Sequence, residues 1–198
     1  QPEDVAETMQ WDEIVGLGEM MNFPGILASD DHAHGIVDAT LKADKVVTGH
    51  YSLPDTGAGL NAYIASGVCC CHESTRPEDI IAKMRLGMYA QLRMGSAWQD
   101  LPVIAKAITE NNIDARFACL VSDDTHPHTL VANGHMDYIL RIAVENGFDP
   151  ITAIRMATIN TAQCYRMEQD LGSIAPSKCA DIVFLKDLTT FEVTRTII

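Results

Sequence analysis

Basic residues are scarce in this chain: 14 Lys and Arg stand against 27 Asp and Glu, a formal net charge of −13. A partner held through phosphates needs a basic stripe, so nucleic acid is excluded as a polyanionic ligand. The same charge favours solubility. No apolar run approaches the roughly 18 residues of a membrane span, and no signal peptide is visible, so no membrane partner is expected. The six cysteines (Cys69, Cys70, Cys71, Cys119, Cys164 and Cys179) contain no Cys-x-x-Cys pair. Cys69 to Cys71 are consecutive in a strand-like run, where side chains alternate between faces, so these three are not expected to chelate one metal together. The cysteines read as free buried thiols in a reducing cytoplasm. No Gly-rich loop follows an apolar run and no Gly-x-Ser-x-Gly elbow occurs, which removes the common phosphate-cradle and serine-hydrolase signatures.

What is present is ordinary globular composition, 47% hydrophobic and 21% charged. Short apolar runs recur, and each delivers an acid/base or metal-competent side chain at its end. Lys45-Val46-Val47-Thr48-Gly49 runs into His50, Ile14-Val15-Gly16-Leu17-Gly18 into Glu19, and Val68-Cys69-Cys70-Cys71 into His72-Glu73. Phe117-Ala118-Cys119-Leu120-Val121-Ser122 runs into Asp123-Asp124. The β-branched content marks these runs as strands. Strands that each place chemistry at the C-terminal tip are how a (β/α)8 barrel builds an active site.

Helical patterns alternate with these strands. Asp30 or Asp31 caps an expected helix over 31–42 with Ile36, Val37 and Leu41 as its stripe. Asp55 or Thr56 opens another, reaching about 65, in which Leu60 and Ile64 lie i, i+4. Thr75-Arg76-Pro77-Glu78 is a helix start with Pro in the first turn and acidic residues at the positive end. A strand is expected near 88–92, a helix over 98–111, a strand over 116–122, and helices over 133–146 and 150–157. Strand–helix alternation from 14 to 147 makes about five β/α units. From Leu171 the character changes, and Ala180–Leu185 and the alternation through Phe191, Val193 and Ile197 read as a small all-β segment. The expected fold is therefore α/β: the second half of a (β/α)8 barrel over 1–170, then part of a β-sandwich over 171–198. At 198 residues beginning with Gln1, the chain is short of the roughly 250 residues of a whole barrel and reads as the C-terminal piece of a longer protein.

Glu19, His50, His72 and Asp123 are the candidate site. Imidazole and carboxylate suit Zn, Fe or Mn, and a site with an open position activates water. Asp123 and Glu19 are the candidate catalytic groups, and Asp124 and His126 the candidate substrate contacts. Glu73 either orients His72 or faces solvent. His32-Ala33-His34 has the form of a His-x-His ligand pair, but no apolar strand feeds it, and it is read as part of a helix. His128 and His135 are read as surface or structural.

These residues carry a resemblance. Gly16-Leu17-Gly18-Glu19-Met20-Met21-Asn22-Phe23-Pro24-Gly25, Gly49-His50, His72-Glu73-Ser74, Ser122-Asp123-Asp124-Thr125-His126-Pro127 and Asn133-Gly134-His135-Met136-Asp137 resemble the bacterial adenine deaminases, a family of the amidohydrolase superfamily. Gly172-Ser173-Ile174-Ala175-Pro176 with Ala180-Asp181-Ile182-Val183 is similar to that superfamily's return into its β-sandwich. The resemblance implies a binuclear Mn or Fe centre, with Zn as the remaining candidate, and hydrolysis of adenine to hypoxanthine and ammonia. Glu19 would stand where many relatives have a metal-bridging modified lysine, His50 and His72 would be ligands, and Asp123 a ligand and the acid/base. It also implies a small purine base as partner, a homodimer and a cytoplasmic location. The family's first strand ends in a His-x-His pair that nothing before Glu19 supplies, so the isolated chain is expected neither to close a barrel nor to turn over adenine. The competing expectations are another cyclic amidohydrolase of dihydroorotase or hydantoinase type, and an inactive barrel half serving as an assembly module.

Overall fold

Five apolar runs pair as parallel strands in chain order, β1 (Gly16–Met20), β2 (Val46–Gly49), β3 (Val68–Cys71), β4 (Tyr89–Arg93) and β5 (Ala118–Val121). This arrangement comes from a computed structural model that describes residues 1–111 and 113–198. Parallel neighbours need a crossover, and here each is helical. Helix α1 (Pro2–Thr8) precedes β1; α2 (Phe23–Leu27) and α3 (Asp31–Lys42) link β1 to β2; α4 (Ala58–Ala65) and α5 (Pro77–Arg85) provide the next two crossovers. Helices α6 (Leu101–Ile104) and α7 (Lys106–Thr109) lead to β5, and α8 (Pro127–Asn133), α9 (Met136–Glu145), α10 (Pro150–Ala157) and α11 (Ile159–Cys164) follow it. Strands β1 and β5 are the edges, so the sheet is an open half-barrel, and β6 (Ile182–Leu185) and β7 (Val193–Ile197) form a separate antiparallel pair.

The helix starts follow side-chain chemistry. The Asp30 carboxylate accepts from Ala33 N at 2.8 Å and the Asp149 carboxylate from Thr152 N at 2.9 Å, each occupying an orphan donor of the first turn. Asp79 accepts from the Arg76 and Thr75 amides at the head of α5. Asp55 accepts from Gly57 N and Gly59 N, so its helix begins at Ala58 rather than at 55 or 56. Pro24-Gly25 lies in the first turn of α2, behind the Asn22 cap.

Three expectations are corrected. The first strand runs 16–20, not 14–18, which puts Glu19 inside it. The helix expected over 98–111 starts at Leu101, because Trp98 and Asp100 turn back to the Arg93 guanidinium, and it is interrupted at Ala105. The helix expected over 133–146 starts only at Met136, as α9, because Gly134, with φ +99°, separates it from a further helix, α8, that Pro127 opens in what reads as a polar loop.

The core lies between the sheet and its helices in two large parts, beside a smaller cluster of Cys70, Cys119 and Cys164. Val47, Val68 and Met88 pack with Val37, Leu60 and Tyr63, while Leu92, Ala118 and Leu120 pack with Ile80, Ile104 and Ile139. Helix α11 crosses at the N-terminal end of β5, where Asn160 Nδ2 donates to Ala115 O and Ala118 O, both at 2.9 Å. No helix among the described residues is long and apolar enough to cross a membrane.

Gly49 shows how tightly the strand tips are packed. A Cβ there would meet Val68 Cγ1 and lie 2.8 Å from Cys70 O and Tyr63 Oη. Backbone cannot yield as a side chain can, so Gly49→Ala is expected to cost about 1–3 kcal/mol. A thermal unfolding midpoint unchanged by the substitution would contradict that packing.

Candidate metal centre at the strand tips

Parallel pairing of β1, β2 and β3 aligns their C-terminal ends. Glu19 is the penultimate residue of β1, His50 follows β2 directly, and His72 follows β3 directly. Glu19 Oε2 lies 2.9 Å from both His50 Nδ1 and His72 Nε2, and the two ring nitrogens are 3.2 Å apart. If both nitrogens donate to Glu19, they confront each other as two donors; if one accepts from the other, Glu19 loses a partner. A cation resolves the conflict, because all three atoms then present lone pairs to it. Two ligand atoms about 2.1 Å from one ion lie about 3.0–3.4 Å apart at right or tetrahedral angles. The observed triangle matches that spacing. The imidazoles are mostly buried while the Glu19 side chain is 41% exposed, so the cluster has a solvent side. Burial pushes His72 below the ordinary imidazole value, toward the neutral form that binds metal.

Buried polar groups fix the tips. Tyr63 Oη donates to Met20 O at 2.7 Å and accepts from His50 N at 3.0 Å, bracing the ends of β1 and β2. Burial raises its phenol well above the ordinary value, so it stays a donor. Lys83, 2% exposed on α5, donates to Ser74 Oγ at 2.8 Å, to Tyr51 O at 3.3 Å and to Glu73 O, joining the segments after β2 and β3.

A second group shares His72. His72, Glu73 and Asp123 offer ligand atoms within 4.8 Å of one another. Their organiser is Arg93 at the end of β4, 1% exposed. Its Nη1 donates to Asp123 Oδ2 at 2.8 Å and to Glu73 Oε1, its Nε donates to Asp100 Oδ2 at 2.7 Å, and Trp98 stacks 4.9 Å from its Cζ. Burial opposes the charge on Arg93, and the hydrogen bonds to Asp100, Glu73 and Asp123 outweigh it, raising the guanidinium further above its usual range. Asp123 adopts φ +59°, a conformation Asp tolerates better than most residues, and its Oδ1 accepts from Asp124 N at 2.7 Å.

The four candidates are thus distributed over two overlapping groups. Glu19, His50 and His72 converge; Asp123 does not join Glu19 and His50 but stands on Arg93 beside His72 and Glu73. Asp124 is exposed, and its carbonyl accepts from Ser96 N. His126 heads α8 with its ring exposed and stacked on His128, centroids 5.6 Å apart, outside both groups. His32 is exposed on α3 and His34 Nε2 contacts Ile26 O at 3.0 Å, so neither joins the tips. Sequence reasoning passed over Arg93 and gave Glu73 only an outer role. The available signal was period two: Gln91 and Arg93 alternate with Ala90 and Leu92 in one strand, which puts both polar groups on one face.

The sequence is 69% identical over 197 residues to an adenine deaminase of Clostridium botulinum and 53% identical over 197 residues to one of Moorella thermoacetica; each match covers 100% of this chain. In both cases the match covers 33% of the relative, so the chain spans about a third of the length of these proteins. In fold it is similar to the β-aspartyl dipeptidase of Fervidobacterium islandicum AW-1, with a TM-score of 0.68 at 16% identity, covering 99% of this chain and 58% of that one. The Amidohydrolase family profile matches residues 3–198. By its sequence, its half-barrel and its fold neighbours, the chain belongs to the amidohydrolase family.

Proposed function

We propose that this chain supplies part of the active site of an adenine deaminase, which converts adenine and water to hypoxanthine and ammonia. The observation that carries the reading is the convergence of Glu19, His50 and His72 on one point at the strand tips, in a sequence 69% identical to a protein of that name. Glu19, His50 and His72 would hold a divalent ion, Mn or Fe in a binuclear centre, the donor set also suiting Zn. Such an ion supplies the Lewis acidity that makes water a nucleophile near neutral pH. Asp123 takes the proton of the attacking water and passes it to the ring nitrogen and the leaving amine. Arg93 fixes the direction of that carboxylate, and Glu73 bridges Arg93 to the histidine side of the site. His126 and Asp124 stand at the exposed rim, where a small purine base would enter. Residues 1–170 are assigned to the second half of the barrel and 171–198 to part of a β-sandwich, in a cytoplasmic homodimer.

The test replaces the equivalent 197 residues of the Clostridium botulinum protein with this chain and assays the Mn- or Fe-loaded chimera for ammonia release from adenine. Activity is expected, with a loss greater than the 10–100-fold typical of removing an outer-shell partner in Glu19→Gln. A folded, metal-replete chimera inert toward adenine would overturn the reading, and turnover of dihydroorotate or a hydantoin would replace it. The isolated 198-residue chain, with its sheet open at β1 and β5, is expected to be inactive; measurable turnover by it would refute that.

A further inference from the structure

A second cluster of metal-competent groups lies away from the strand tips. Cys69 and Cys70 of β3 and Cys164 of α11 bring their sulfurs within 4.8 Å of one another. Cys119 of β5 packs on the same sulfurs, and Tyr89 and Tyr165 cover them. Alternation along a strand should send Cys69 and Cys70 to opposite faces. The register explains why it does not: Val47 pairs with Val68 and Thr48 with Cys70, so Cys69 is an extra residue, a bulge in β3. Bulges re-aim a side chain, and this one turns two consecutive thiols toward one helix. Cys71 keeps the alternation and faces Tyr51 N at 3.1 Å.

The environment is suited to a soft ion. Cys70 is fully buried and Cys164 is 2% exposed, and no His or carboxylate joins the three sulfurs among the described residues. Thiolates select Cu(I) and Zn, but structural zinc almost always takes four ligands in a tetrahedron. Three converging sulfurs, two of them buried and Cys69 partly exposed, with the Cys119 thiol outside their group, favour the softer, lower-coordinate ion. We propose that Cys69, Cys70 and Cys164 form a thiolate site for a monovalent thiophilic ion, Cu(I), separate from the centre at the strand tips. Cys69 lies three residues before His72, about 10 Å along the strand, so neither set shares a ligand with the other. The site does not depend on the deaminase reading.

The experiment is an anaerobic Cu(I) titration of the 198-residue chain against a competing Cu(I) chelator, followed by alkylation and mass mapping of each cysteine. One Cu(I) per chain is expected, with Cys69 and Cys164 protected from alkylation and the exposed Cys179 still labelled. Cys164→Ser and Cys69→Ser are expected to lose that ion, and Glu19→Gln and Cys179→Ser to keep it. Zn(II) in place of Cu(I) is expected to leave Cys69 reactive. Should either serine variant fail to fold, protection mapping in the unaltered chain decides. Failure to retain Cu(I), retention undiminished in folded Cys69→Ser or Cys164→Ser, or Cu(I) protection confined to other cysteines would overturn the proposal.

Discussion

Arg93→Met is expected to cost the fold about 3–5 kcal/mol, the range for breaking a buried pair by removing one partner. Methionine approximates the apolar stem, so the loss isolates the guanidinium rather than volume. That group faces Asp100, Asp123 and Glu73 together, whose side chains are only 16–18% exposed. Without it three mostly buried carboxylates confront one another with no cation among them. The cost is a large share of the roughly 5–15 kcal/mol that holds a domain folded. Arg93→Lys restores the charge but not the planar fork that reaches three acids at once, so it is expected to recover part of the loss and to remain foldable if Arg93→Met is not. Urea unfolding followed by circular dichroism measures both. A midpoint for Arg93→Met that matches the unaltered chain would mean that the carboxylates have another counter-charge.

The same residue marks the boundary of what the sequence makes legible. Strand tips carrying Glu19, His50 and His72 can be read because each lies at the end of a local apolar run, and local runs need no knowledge of partners. Ile14-Val15 reads as the start of β1 on β-propensity, yet pairing begins at Gly16. There the backbone approaches β2 so closely that a Cβ would lie 2.5 Å from Val46 O and Cγ2. A glycine chosen for close approach is invisible to propensity. Arg93 and Glu73 look like surface charges until parallel pairing sets their strands side by side and brings groups 20 residues apart into contact. The bulge at Cys69 is a property of register, fixed by the pairing with β2 and absent from any local pattern. What tertiary contact decides, local periodicity does not carry.

Asp123→Asn, made in the chimera with the Clostridium botulinum protein, is expected to lower kcat for adenine by about 10²–10⁴-fold, the usual contribution of general acid/base transfer. The substitution is nearly isosteric, and Asn accepts the left-handed backbone at φ +59° as readily as Asp. A side-chain oxygen remains to receive Asp124 N or Arg93 Nη1. What disappears is the capacity to take a proton from water and return it. Because Asp123 stands outside the Glu19–His50–His72 triangle, the ion held by those three is expected to stay, and the effect should fall on kcat rather than KM. Asp124→Asn removes an adjacent, exposed carboxylate at the rim, so its effect should fall on KM, with kcat changed by no more than about twofold. If Asp123→Asn kept a tenth or more of the activity while Asp124→Asn lost it, the proton would travel through Asp124. The role of Arg93 would then reduce to holding the fold, since it directs the neighbouring carboxylate and not that one.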